Sequence, residues 1–347
     1  MDAPEGEDDP VPAEGAVPRD RVVIVRVDER TVDVEQHSPP PSTLHAPTLP
    51  ERAVVFHRAR LVWAAAESGE SPVFFGRGLV ETQEDFEQAV KSMSVELMHY
   101  MEGATPRVQL SENVYTSTEY PANQSIELHN ELSYVITWPG RIWFFCVTPS
   151  QEGGETPIAD VRKVLKRIDS AIVDRFVQKG WMLVRNFGND MSLPWQKVFR
   201  TDNPSALEAY CREAQVEFEW IDSNRLRTRQ VRPPIARHPR TGETIWFNHI
   251  CFWHVSSLDP GVRESMLTVF GEENLPYNTY YGDGSPIEDS VIDEIREAYR
   301  QETVKFPWRE RDLLMLDNML VAHGRQQFVG PRRILAAMGD PCSDRGL

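Results

Sequence analysis

The chain has 347 residues, 40% of them hydrophobic, and its 37 Lys+Arg against 53 Asp+Glu give a formal charge of −16. That length and apolar share support a sizeable buried core and exclude wholesale disorder. The acidic balance argues against nucleic acid and anionic membrane surfaces as partners, and no apolar run nears the roughly 20 residues of a membrane-spanning helix. The four cysteines, Cys146, Cys211, Cys251 and Cys342, form no C-x-x-C pair. With no basic-then-apolar leader, the expectation is a cytoplasmic protein with free thiols, not a disulfide framework or a cysteine zinc site.

Residues 1–49 read as an acidic, proline-rich segment: a disordered tail over the first twenty, a short strand within Arg21 to Val34, and a linker at Pro39-Pro40-Pro41. Residues 50–347 read as one domain. Pro72 to Gly76 suggests a buried strand, and Thr82 caps a helix through Phe86, Val90 and Met93. A strand near Trp143 to Val147 leads to the turn Gly153-Gly154. Asp160 caps a helix whose apolar positions, Val161 to Phe176, recur with the 3.6-residue period. Strands follow at Trp181 to Val184, Val216 to Ile221 and Leu226 to Val231, with a hairpin turn at Arg240-Thr241-Gly242-Glu243 before Ile245-Trp246-Phe247. Ser285-Pro286-Ile287-Glu288 predicts a helix start, running to about Gln301. Leu313 to Leu316 and Arg333 to Met338 close the chain as strands.

Many strands without regular βα alternation exclude a doubly wound sheet or a TIM barrel. An α+β protein with a jelly-roll core and flanking helices fits better, and such a fold assembles its site from distant segments.

Of the nine histidines, only His129 has a carboxylate two positions on, in His129-Asn130-Glu131. On a strand, residues i and i+2 share a face, so the imidazole and carboxylate would converge. A second, distant histidine would complete the two-histidine, one-carboxylate set that leaves coordination positions open on iron(II), and His323 is the candidate. By itself the tripeptide is more often a surface histidine beside a surface acid.

Four separated stretches add context: Ile126 to Tyr134, Gly153 to Asp160, Asp317-Asn318 through His323-Gly324-Arg325, and Gly330-Pro331-Arg332-Arg333-Ile334-Leu335. In order and spacing they resemble the taurine-dioxygenase-like iron(II)/2-oxoglutarate oxygenases over roughly residues 50 to 340, nearest the clavaminate-synthase and syringomycin-type branch. The resemblance implies a double-stranded β-helix (jelly roll), with iron held by His129, Glu131 and His323. It implies 2-oxoglutarate and O2 as co-substrates, and Thr156 and Arg333 as partners of the 2-oxoglutarate distal carboxylate. A guanidinium suits that task because it grips a carboxylate through two parallel hydrogen bonds. Arg332 is then expected on the opposite strand face, the reverse assignment staying open.

The same resemblance implies hydroxylation of an amino acid, free or tethered to a carrier protein, in natural-product biosynthesis. Glu131 disfavours halogenation, since the related halogenases lack the carboxylate. Desaturation, ring closure and small-acid catabolism stay open, as does a homo-oligomer. Asn248 and His249, by loose analogy, and Arg325 are candidates for substrate contact. Six arginines and no acid in Arg225 to Arg240 read either as an anion-binding surface or as a solvated strand face.

Overall fold

The structure, a computed structural model, describes residues 23–28, 31–36, 60–63 and, from 73 onward, all but 100, 101, 103–106, 189–191 and 344. The chain divides into two units, Met1–Pro50 and Glu51–Leu347. In the first, Val23–Asp28 and Thr31–Gln36 form an antiparallel hairpin, two strands where the alternation suggested one. The expected tail and triple proline lie outside the described residues.

The second unit is built on a six-stranded antiparallel sheet. Its strands run in the order Arg60–Trp63, Val73–Arg77, Asp312–Asp317, Trp138–Thr148, Arg333–Cys342 and Tyr115–Thr116. The long central strand carries apolar side chains on both faces. Trp143 and Phe145, with Leu313, Leu335 and Ala337, pack under the Gln83–Met93 helix through its Phe86 and Val90. A full capping box between Thr82 and Asp85 starts that helix, an arrangement that contributes about 0.5–2 kcal/mol. On the other face, Ile142, Phe144 and Cys146 join Leu314, Leu316, Ile334, Ala336 and Met338 in the main core. That core also takes in Ile158, Ala159 and Val321 from a three-stranded sheet ordered Ile126–His129, Val321–Arg325, Ile158–Asp160.

A four-stranded antiparallel sheet is ordered Glu217–Trp220, Leu226–Arg232, Trp181–Phe187 and Tyr277–Tyr281. The helix predicted from Asp160 is two helices, Val161–Arg167 and Ser170–Lys179. Asp169 bonds the Ala171 amide and starts the second, so a new cap interrupts a continuous apolar period. The late helix runs Asp289–Glu302, beginning after Glu288; the Ser285 hydroxyl bonds Asp283 instead of capping it. Among the described residues no helix is long and apolar enough to cross a membrane.

Candidate metal centre

His129 and His323 sit directly opposite each other on paired strands. Their ring centroids are 4.7 Å apart, and Phe144 covers His323 at 5.1 Å. Glu131 is not on the strand with His129, as i, i+2 alternation would have it. The strand ends at His129, and Glu131 lies in the following turn, where Leu132 adopts a left-handed φ of 54°. Asn318 holds that turn: its Oδ1 accepts from the Glu131 amide at 2.7 Å, and its Nδ2 donates to the Glu131 and Pro139 carbonyls at 2.9 and 2.8 Å. Asn130 Nδ2 donates back to the Asn318 carbonyl at 2.7 Å.

One ligand atom from each of His129, Glu131 and His323 lies within 4.8 Å of the others, and all three residues are buried. His129 Nδ1 lies 2.8 Å from the Glu127 carbonyl, so it donates there and leaves Nε2 unprotonated. Burial, with His323 beside it, brings His129 down to about 3, which keeps the imidazole in its metal-binding form. Two imidazoles and a carboxylate on one side form an open face suited to a divalent ion such as iron(II). Glu131 pairs with Arg107 Nη2 at 2.7 Å, while the same Oε2 faces His323 Nε2 at 3.5 Å. Burial works against the Glu131 charge, but Arg107, aided by the two histidines, holds the carboxyl well below the usual range.

Thr156 is buried, and its hydroxyl accepts from Trp308 Nε1 at 3.0 Å. Arg333 is exposed, against expectation. The pairing register with Trp138–Thr148 shifts between Arg333 and Ile334, after which Leu335 and Ala337 face one core cluster, and Ile334, Ala336 and Met338 face the core that contains the three-stranded sheet. Arg332 precedes the strand and is half-buried. Its Nε donates to the Gly154 carbonyl at 2.9 Å, Nη1 to Ser117 Oγ at 3.3 Å, and burial together with the charge of Arg325 lowers it to about 10. Gly154 has a φ of +72°, and a Cβ there would lie 3.1 Å from Arg332 Cδ. The glycine thus admits both the turn and the arginine.

Three substrate candidates are buried but differ in availability. Arg325 donates Nη1 to the Tyr120 carbonyl at 2.8 Å and Nη2 to the Pro121 and Gln124 carbonyls at 2.7 Å, so its guanidinium ties down a loop. Asn248 donates to the Pro234 carbonyl and accepts from the Ile250 amide, which makes it a local backbone clamp. His249 alone borders the triad. Its ring is 4.9 Å from that of His129, and its Nδ1 is 2.7 Å from Ser133 Oγ. In the arginine-rich stretch, Arg225 pairs with Asp222, Arg227 and Arg229 with Glu219, and Arg240 with Asp317. These pairs match a self-compensated strand face and its adjoining turns. Arg107 and Trp308 carried no sequence signal. Asn318 lies in the Asp317 to Arg325 stretch, where the sequence assigns it no role.

The model of the taurine catabolism dioxygenase TauD/TfdA family matches residues 72–338. The chain belongs to that family and is an iron/2-oxoglutarate-type dioxygenase. Among curated relatives, the dapdiamide synthesis protein DdaC of Enterobacter agglomerans is 39% identical over 269 residues, 78% of this chain and 82% of the relative. A clavaminate synthase-like protein of Arabidopsis thaliana is 28% identical over 284 residues, again 78% of this chain and 82% of the relative. The solved structure of PvcB from Pseudomonas aeruginosa aligns at 18% identity with a TM-score of 0.44, over 78% of this chain and 76% of that one.

Proposed function

We propose that the protein is a cytoplasmic dioxygenase that hydroxylates an unactivated C–H bond of an amino-acid-derived substrate in natural-product biosynthesis. The balanced reaction converts 2-oxoglutarate, O2 and R–H into succinate, carbon dioxide and R–OH. The observation that carries the reading is the direct cross-strand opposition of His129 and His323, with Glu131 brought to the same face by its Asn318-held turn. These three residues hold iron(II), which when bound supplies the site for O2 activation. The dapdiamide relative supports a biosynthetic setting and an amino-acid-like substrate. The six- and three-stranded antiparallel sheets, which share one core, support a double-stranded β-helix.

Thr156 and an arginine anchor the distal carboxylate of 2-oxoglutarate. We assign that arginine to Arg332 in place of Arg333, a reading supported by the Arg332 Nε bond to the Gly154 carbonyl and by the exposure of Arg333. The presence of Glu131 favours hydroxylation over halogenation, since a halide would need the carboxylate's position.

The test is succinate release from Fe(II)-loaded protein with 2-oxoglutarate and a panel of amino acids, free and carrier-tethered, with products weighed for added oxygen. Substrate-dependent succinate with one added oxygen per turnover is expected. Succinate formation that ignores Fe(II), or an iron-loaded protein that consumes no 2-oxoglutarate with any panel member, contradicts the reading.

A further inference from the structure

Strand Trp181–Phe187 runs inside its sheet, flanked by Leu226–Arg232 and Tyr277–Tyr281. Trp181, Leu183, Arg185 and Phe187 alternate along one face, and all are buried. Three of them are core residues; the fourth places a guanidinium there at 6% exposure. An arginine that deep needs a carboxylate or a full set of carbonyl acceptors, because desolvating an unpaired charge is costly. Nearby Arg232 has such a set, donating to the carbonyls of Tyr134, Ala214, Gln215 and Val231.

Arg185 does not. It makes one hydrogen bond, from Nη1 to the Glu102 carbonyl at 3.3 Å, and forms no ion pair among the described residues. The Glu102 carboxyl is engaged by the Tyr210 hydroxyl. Burial pushes that carboxyl up toward its neutral form, against the pull of Tyr210, Arg185 and Arg232. The rest of the guanidinium's surroundings are ring faces: Phe187 at 4.8 Å, Trp253 at 5.9 Å and Tyr134 at 6.0 Å. Its Nε and Nη2 have no hydrogen-bond partner among the described residues and are not wholly sealed from solvent.

The rings lead to the metal centre. Tyr134 and Trp253 flank His249 at 4.9 and 6.1 Å, and His249 lies 4.9 Å from His129. A guanidinium with unused N–H groups is therefore joined to the metal centre through the rings of Tyr134, Trp253 and His249.

We propose that Arg185 is the anion subsite of the substrate pocket and binds a terminal carboxylate of the primary substrate, remote from the carbon that reacts. A planar fork in an aromatic frame suits a carboxylate, which accepts two parallel hydrogen bonds. The phosphate of a carrier arm lies mid-chain, with protein on its far side, and does not terminate in a site this deep. The inference rests on reading His129, Glu131 and His323 as the iron site, and it narrows the substrate to a free acid.

Crystals loaded with Mn(II) and N-oxalylglycine and soaked in sodium bromide test it, because anomalous scattering locates the small anion. Bromide at the wild-type Arg185 guanidinium, displaced by sodium acetate and lost from Arg185→Met, is the expected result. No bromide at Arg185 in the wild type, or equal density in Arg185→Met, overturns the subsite. Displacement by inorganic phosphate but not by acetate overturns the carboxylate assignment. The wild-type crystal decides alone if Arg185→Met does not fold. Mn(II) and N-oxalylglycine density in the same crystals reports on the iron-site reading separately, so the two failures are distinguishable.

Discussion

Arg107 donates to Glu131 Oε2 at 2.7 Å with both side chains almost wholly buried, on the oxygen that faces His323. A guanidinium and a divalent ion therefore compete for one carboxylate. Unit charges about 4 Å apart interact by about 4 kcal/mol at an effective dielectric constant of about 20, so the competition is not small. Arg107→Gln is expected to tighten Mn(II) binding at least about tenfold at neutral pH. The same change leaves Glu131 uncompensated in the metal-free protein and should destabilise it by about 3–5 kcal/mol. Calorimetric titration and thermal unfolding with and without Mn(II) check both. Weaker Mn(II) binding would make Arg107 a support of the ligand, not its competitor.

Arg332→Lys should raise the KM for 2-oxoglutarate about ten- to a hundredfold while leaving that for the primary substrate near its wild-type value. A forked donor becomes a single-point one, and a hydrogen bond to a charged group contributes about 1.5–3 kcal/mol. Arg333→Lys, on the exposed side, serves as the control and should change neither constant. The opposite pattern in steady-state kinetics would return the anchor to Arg333.

Gly154→Ala tests how Arg332 is held. The position has φ +72°, and an added methyl would meet Ser150 Oγ, Phe328 Cβ at 3.0 Å and Arg332 Cδ at 3.1 Å. Backbone strain of about 1–3 kcal/mol should lower the melting temperature. Displacement of the arginine should raise the KM for 2-oxoglutarate. A variant with altered stability and an unaltered KM would separate the turn from co-substrate binding.

His254 gives the protein an acid limit of its own. Its Nδ1 lies 2.7 Å from Ser256 Oγ, and burial, opposed by Asp289, lowers it to about 4. In the unfolded chain a histidine takes up its proton near about 6.5. Between about 6.5 and 4 the unfolded state holds the extra proton, so stability falls as pH falls through that window and levels off below it. The contribution is about 3 kcal/mol, and His254→Gln should remove it from the difference in unfolding free energy between pH 7 and pH 4. Identical pH profiles for the two proteins would contradict this.

The residue types of the metal face were legible from His129-Asn130-Glu131 and a distant histidine, but not the way they meet. Strand alternation would put His129 and Glu131 on one face; instead, a left-handed Leu132 and the Asn318 amide carry Glu131 round a turn. That clamp joins positions far apart in the chain, which no local pattern encodes. The strand phase at Arg332 and Arg333 was not legible for a different reason. Ile334 to Met338 is buried on both faces, so the run is apolar throughout and has no alternation from which to set the phase. The apolar period that starts at Asp160 continues past Asp169 and so indicates a single helix; only the cap at Asp169 marks the break. Helix Gln83–Met93 is legible in the sequence because its start is wholly local: Thr82 and Asp85 satisfy each other's backbone.

The most direct measurement is Fe(II) binding by equilibrium dialysis under anaerobic conditions, for the wild type and for His129→Ala, Glu131→Ala and His323→Ala. Far-ultraviolet circular dichroism of each variant provides the check on folding. The account predicts one ion per chain in the wild type and loss of that binding in each variant, with the fold retained. Wild-type stoichiometry and affinity in any one correctly folded variant would show that its residue is not an iron ligand and would contradict the central claim.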